Sequence, residues 1–343
     1  MMWPDAGAPV RELSGPDDTS SCVADVLYPL AVLTELAPLL KEPARHFYLT
    51  KDPDRLPEYG SHVVAMLLEE ERCKLPAYAL QVGSVIRNMS DKPYVGFRLR
   101  PVPATLIGTS FFEYARDHAS RMRSFARVRK GPTRVVAHPN IFRIPLGYQS
   151  QQKLPQLSMS ERALDTFFAG DIATPFPYND YRYWIPPTKT VTRRQLWSVL
   201  DTLRRSGEWN IVLDDVRPDN SASQPRSAKA LNYQSYSERM MNSRICVAPR
   251  GSNWETYRFY EGLRAGCLVI TSPFRNEPFL RGAPVITVDS WRELPKLLRR
   301  YARDIDTLER YRLASLAWWN NHCSESVIAR QLAAQLNCSR LAV

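Results

Sequence analysis

Residues 243–271 read SRICVAPRGSNWETYRFYEGLRAGCLVIT, and this stretch decides the fold. An apolar run at 245–248 has the length and the β-branched content of a buried strand. It leads into Pro249, Arg250, Gly251, Ser252 and Asn253, a loop in which Gly251 is expected to supply a turn with positive φ. A helix is expected from about Glu255, ending at Gly266 as its C-cap. A second apolar run, CLVIT, follows at once. Strand, loop, helix and strand in this order place the unpaired amides of a helix start beside the loop, a ready site for an anion. Arg250 and Arg258 add planar, bidentate donors suited to a diphosphate. Glu261 lies one turn after Arg258 on the same helical face, where a carboxylate can accept from the two hydroxyls of a ribose; the same i,i+3 spacing also suits a plain helical ion pair.

Working outward, the second half of the chain alternates strand-like and helix-like segments, which predicts a parallel sheet covered by helices. Strands are expected at 163–170, 209–213 and 283–288, and helices at 192–206, 233–242, 291–302, 305–319 and 325–336. Thr192 is the expected N-cap of the first of these helices. The first half alternates less cleanly: a strand and a helix within 22–40, a strand at 62–68, a helix at 78–87, a long helix at 111–129 and a strand at 133–138. The polar run 149–162 has almost no core-forming residues and is the candidate linker. The organisation expected is a flexible start (1–20), a first α/β domain (21–150), a linker (151–162), a second α/β domain (163–322) and a closing helix (323–343). Two such domains would enclose a cleft, and open parallel sheets bind ligands outside the carboxyl ends of their strands.

At 343 residues the chain is long for one core. With 44% hydrophobic and 24% charged residues it falls in the globular class rather than the disordered one. The formal charge of +11 attracts phosphates, yet its Lys and Arg are spread out and form no long run of the kind nucleic-acid tails carry. No nucleic-acid partner is therefore expected, and a peripheral contact with anionic lipid is the minor alternative. None of the six cysteines forms a CxxC pair, so no zinc site is expected. Residues 1–20 lack the apolar core of a secretion signal, so a cytoplasmic protein is expected, with a lumenal catalytic domain as the open alternative. No GxxxxGK[ST], GxGxxG or GxSxG motif occurs, which removes support for NTP hydrolysis, dinucleotide oxidoreduction and the α/β-hydrolases. The pair Asp214 and Asp215 suits a solvated loop better than a metal, and no metal or cofactor is expected, the nucleotide sugar being a substrate.

The segment around 243–271 resembles the nucleotide-sugar-binding region of the exostosin-like glycosyltransferases. The resemblance rests on Cys246, Pro249, Gly251, Thr256, Arg258, Glu261, Ala265, Gly266 and Cys267; where the family commonly continues Pro-Val-Ile, this chain has Leu268, Val269 and Ile270. It extends to the PLGY run ending at Tyr148, the FFAG run ending at Gly170, and the helices after Trp291. It implies the GT-B architecture: an α/β fold of two Rossmann-like domains with parallel sheets facing a central cleft. It also implies metal-independent transfer of a sugar from a nucleotide-diphosphate donor to a hydroxyl of a glycan or glycoconjugate acceptor. Gly170, Arg250, Gly251, Ser252, Asn253, Thr256, Tyr257, Arg258 and Glu261 are then the donor-binding candidates. An inverting enzyme of this kind needs a base for the acceptor hydroxyl, and Asp25, Glu70, Glu71 and His138 are the candidates, each near an expected strand end. The competing readings are a fucosyltransferase-like GT-B enzyme and a non-catalytic nucleotide- or anion-binding module of the same fold. Tyr178, Tyr181, Tyr183 and Trp184 could stack on a base or a sugar, or pack as a surface loop.

Overall fold

The computed structural model describes residues 2–3, 11–12, 26–41, 45–90, 92–95, 104–131, 134–149, 155–170, 172, 177–215 and 233–338. The chain divides into two compact units. The first comprises Met1–Pro93, Tyr114–Gln149 and Asn321–Val343; the second comprises Tyr94–Glu113 and Ser150–Asn320.

The first unit is built on a sheet in the order β2-β1-β3-β4-β5-β6. Its strands are β1 (Met2–Trp3), β2 (Arg11–Glu12), β3 (His46–Thr50), β4 (Gly60–Leu67), β5 (Val82–Arg87) and β6 (Ile141–Arg143). All neighbours from β1 through β6 pair in parallel, and only β2 runs antiparallel, against β1. Within the start expected to be flexible (1–20), Met2–Trp3 and Arg11–Glu12 form two short strands at one sheet edge. Helix α1 (Leu27–Leu36) packs against α9 (Glu325–Cys338), and the Tyr28 hydroxyl donates to the Cys323 carbonyl at 2.7 Å. Of the strand and helix expected within 22–40, the helix is α1 and most of the strand falls outside the described residues.

Two expectations for this unit fail. Residues 78–87 are not a helix: a turn at 78–81 leads into β5, which pairs with β4 on one side and β6 on the other. Burial on both faces makes such a strand a nearly continuous apolar run, and periodicity alone cannot separate that run from a buried helix. Residues 135–138 are bends, not a strand, because the Val135 and Val136 amides turn to the Leu80 carbonyl rather than into the sheet ladder. Val63, Ala65, Val85, Tyr78 and Val128 form the core here.

The second unit holds a wholly parallel five-stranded sheet in the order β11-β10-β9-β7-β8. The strands are β7 (Leu164–Gly170), β8 (Ile211–Asp215), β9 (Ser243–Ala248), β10 (Leu268–Thr271) and β11 (Val285–Thr287). Helices α4 (Thr188–Arg205), α5 (Tyr233–Met241) and α6 (Tyr257–Arg264) alternate with β7 to β10, as expected, and α7 (Leu294–Tyr301) and α8 (Ile305–His322) follow β11. Helix α4 starts at Thr188, one turn before the expected cap Thr192, because Pro187 pre-sets the entry. The short α3 is Tyr181–Trp184, and α2 is Ala104–Lys130. Phe168, Ile245, Val247, Leu268 and Ile270 from the sheet pack with Leu196, Leu200, Trp291, Leu294 and Leu298. Each such side chain contributes about 1.5–3 kcal/mol by leaving water.

Arg162, the last residue of the expected linker, is fully buried. Its guanidinium donates to the carbonyls of Leu157, Ser243 and Ala265 at 3.2, 2.8 and 2.7 Å. No helix among the described residues is long and apolar enough to cross a membrane.

Candidate functional site

The sheet of the second unit changes direction at β7. From β7 the chain moves outward to β8, then returns to the other side of β7 as β9 and continues through β10 to β11. That is a topological switch point, and the crevice outside the carboxyl ends of the two central strands is where such sheets hold ligands. Gly170 ends β7, and Pro249 follows the last residue of β9. Most of the expected donor residues therefore meet at one place, for a reason that is topological.

Arg258 lies in the first turn of α6. Its Nη2 donates to the Ala169 carbonyl, and its guanidinium carbon sits 4.8 Å from the centre of the Phe168 ring. Gly170 makes this possible: a Cβ there would stand 2.4 Å from Arg258 Nη2. The glycine therefore makes room for the arginine. Thr256 is the N-cap of α6 in extended conformation, but its side chain makes no cap hydrogen bond. The helix begins at Tyr257, two residues later than expected, because Glu255 is buried and accepts from the Tyr260 hydroxyl at 3.0 Å.

Glu261 is 2% exposed and accepts from the Tyr236 hydroxyl at 2.7 Å, while Tyr236 packs edge-on against Phe167 of β7. Burial first, and the Glu261 charge second, push the Tyr236 phenol well above its ordinary range. Arg258 and Glu261 thus turn to different partners, one on β7 and the other on α5.

Arg250 is also 8% exposed and is taken up by a local network. Its Nη1 donates to the Val95 carbonyl at 3.2 Å, its Nη2 is 3.9 Å from Glu113 Oε2, and its amide donates to Ser272 Oγ at 3.3 Å. Glu113 in turn accepts from the Thr188 amide at 3.0 Å. This network borders a crevice lined by Thr188, Thr192, Gln195, Arg250, Ser272 and Asp289. The buried Thr192 hydroxyl has no hydrogen-bond partner among the described residues. Sequence reading missed Glu113, Gln195, Ser272 and Asp289 here, since each is an isolated polar residue with no motif around it.

Gly251 is not among the glycines with positive φ, which corrects the turn expected there. A Cβ at Gly251 would meet its nearest neighbour, the Asn253 carbonyl oxygen, at 3.4 Å, an ordinary contact. Asn253 Oδ1 accepts from the Trp254 amide at 2.6 Å and so closes its own loop; Ser252 is half-buried beside it. Gly266, in contrast, has φ +72° and caps α6 as expected.

The candidate bases fare differently. Asp25 lies outside the described residues. Glu70 is 9% exposed and accepts from the amides of Arg72 at 3.3 Å and Lys74 at 2.6 Å, with the fully buried Arg87 at 3.4 Å. It ties down the turn after β4. Glu71 is exposed on that turn, and His138 is exposed on a bend rather than at a strand end. Asp214, expected in a loop, lies in β8 and is paired with Arg239. Tyr178, Tyr181, Tyr183 and Trp184 are all exposed, and Tyr181 lies 6.1 Å from the Phe112 ring.

Residues 188–334 match the family model described as the RXYLT1 C-terminal domain. This region runs from α4 into α9 and takes in β8–β11, so it includes every donor-site candidate except Gly170. No curated protein matches the chain in sequence. Among solved structures, the chain is similar to an alpha-glucosyltransferase in complex with UDP-glucose and DNA containing an abasic site, with 8% identity, 91% of this chain and 83% of that chain covered, and a TM-score of 0.43. It is also similar to a GtfA/B complex, with 12% identity, coverage of 91% and 61%, and a TM-score of 0.37. A third similarity is to a Glycosylation Associate Protein (Gap123) complex from Streptococcus agalactiae, with 9% identity, coverage of 83% and 56%, and a TM-score of 0.35.

Proposed function

We propose that this chain is a glycosyltransferase of the GT-B, exostosin-like kind, moving a sugar from a nucleotide-diphosphate donor to an acceptor hydroxyl. The observation that carries the reading is the switch point of the second sheet, where Arg258 and the start of α6 meet the end of β7. Negative charge grows on the diphosphate as the sugar leaves, and fixed donors stabilise it best because they need no reorganisation at that moment. Arg258 is such a donor, already anchored on Ala169 and Phe168. The α6 amides supply the dipole end beside it. In this reading the diphosphate is met by arginine and backbone amides, with no metal at that position. Glu261 and Tyr236 position α6 against β7 from beneath, and Arg250 holds the wall of the crevice through Glu113.

A thermal-shift screen of UDP-, GDP- and CMP-sugars tests the donor assignment. At ten times Kd a bound ligand stabilises by about 1.4 kcal/mol. For a unit of this size that raises Tm by roughly 3–6 °C. Arg258→Ala is expected to abolish the shift. A flat response to every nucleotide sugar would remove the donor site. Slow donor hydrolysis by the unmodified chain separates an enzyme from a non-catalytic binding module of the same fold.

A further inference from the structure

The chain has five histidines, and two of them, His46 and His62, face a single carboxylate in the first unit. His46 Nδ1 is 2.8 Å from Glu58 Oε2, and His62 Nε2 is 2.7 Å from Glu58 Oε1. The two imidazoles meet edge to face with centres 5.1 Å apart. One ligand atom from each of the three residues can be chosen so that all lie within 4.8 Å of one another. We propose that His46, Glu58 and His62 form a binding site for a divalent transition-metal ion.

The geometry suits such an ion. Ligand atoms about 2.1 Å from a common tetrahedral centre stand about 3.4 Å apart. The carboxylate contacts need only lengthen by about 0.7 Å, and the imidazoles close by at most about 1.4 Å, to reach that arrangement. Two imidazole nitrogens with one carboxylate select zinc, nickel or copper over magnesium or calcium, which take oxygen ligands. Two neutral imidazoles and one carboxylate leave a net negative charge for a dication to neutralise. The side chains of His46, Glu58 and His62 are 58%, 32% and 41% exposed, so an ion and its remaining waters can enter from solvent. Tyr48 donates to Glu58 Oε2 at 2.8 Å, the kind of outer partner that fixes a ligating carboxylate.

The backbone is shaped around the same spot. The pairing of β3 with β4 sets His46 beside Val63, and an undisturbed pleat would send His62 to the opposite face. Between Gly60 and Val64 the register of β4 against β5 shifts, the local distortion that re-aims side chains beside functional sites. Gly60 has φ +152°, and a Cβ there would stand 2.6 Å from His62 Cε1 and 2.8 Å from its Nδ1. Any other residue at position 60 would occupy the place of the imidazole. An ion held there clamps the start of β3 to the chain entering β4. It lies in the first unit, whereas the diphosphate chemistry proposed above is assigned to residues of the second.

The test uses the full chain, stripped with a chelator and titrated with Zn²⁺, Ni²⁺ or Co²⁺ by calorimetry. One equivalent is expected to bind in the micromolar range. His46→Gln, His62→Gln and Glu58→Gln are each expected to weaken binding at least tenfold, and Tyr48→Phe by about tenfold. In the unaltered chain, Zn²⁺ is expected to move the ring resonances of two of the five histidines and leave the other three in place, a readout that does not depend on any variant folding. Absence of saturable binding at millimolar ion overturns the proposal. Binding that survives in the His46→Gln/His62→Gln double variant also overturns it, because the ion then sits elsewhere, for instance at the exposed Cys338.

Discussion

Replacing Gly170 by alanine tests the donor site through the glycine that makes room for Arg258. The added Cβ would stand 2.4 Å from Arg258 Nη2 and 3.3 Å from its Cζ, so the guanidinium has to move. Moving it breaks the charged hydrogen bond to the Ala169 carbonyl, a contact worth about 1.5–3 kcal/mol. It also weakens the stacking on Phe168, worth about 1 kcal/mol at a half-buried site. The long arginine side chain recovers part of this in a new position, and alanine stiffens the unfolded chain by about 0.4–1 kcal/mol. The expected net loss is about 1–2 kcal/mol, or roughly 2–8 °C in Tm. In an Arg258→Ala background the clash disappears, and the nearest remaining atom, Phe168 Cζ, is at an ordinary 3.4 Å. Gly170→Ala should then be neutral or slightly stabilising. The cycle therefore predicts a coupling energy of about 1–2 kcal/mol between positions 170 and 258, read by urea denaturation. Nucleotide-sugar affinity should fall about tenfold in Gly170→Ala alone. Equal costs of Gly170→Ala in both backgrounds would refute the account, since the glycine would then be needed for something other than Arg258.

Two further outcomes follow from the same unit. Glu113→Ala removes the carboxylate 3.9 Å from the buried Arg250 and the acceptor of the Thr188 amide, and should cost about 1–3 kcal/mol. Glu113→Gln, which still offers an oxygen to the Thr188 amide, should cost clearly less, and equal losses by urea denaturation would show that the charge is irrelevant. The Tyr236 phenol is raised in the folded state, so its contribution to stability is complete below the ordinary phenol pKa of about 10 and is lost as pH rises above it. Urea denaturation at stepped alkaline pH should show a steeper fall for the unmodified protein than for Tyr236→Phe; identical slopes would mean that the phenol ionises freely in the fold.

The second unit was legible because its strands are short, unbroken apolar runs separated by helical segments, as in SRICVA and CLVIT. The phosphate-site candidates around Arg258 could be found for the same reason: they sit at the joints of that alternation. The first unit hid β5, because Val82, Val85 and Ile86 are buried on both faces and lose the alternation that marks a strand. Gly251 misled in another way, since a glycine in a loop suggests positive φ but does not require it. Glu70 stands near a strand end and looked available, yet the amides of Arg72 and Lys74 occupy it, a contact that no spacing rule reveals. His46, Glu58 and His62 come together because a parallel crossover returns the chain beside its own start and the irregularity between Gly60 and Val64 re-aims His62.

Arg162 bears on where the chain can be cut. Sequence composition would begin an isolated second unit at Ala163, after the polar run. Such a fragment would lack the guanidinium that satisfies the Ser243 and Ala265 carbonyls, at the start of β9 and the end of α6. It would take that donor from two acceptors at either end of the segment that carries Arg258, leaving the Ser243 carbonyl, among the described residues, with only the Cys267 thiol. A fragment beginning near residue 155 keeps Leu157, Met159 and Arg162 in place, and with them the core that Met159 fills. The short polar approach to β7 therefore belongs to the folding unit, and protease trimming should stop before it rather than at the first residue of the strand.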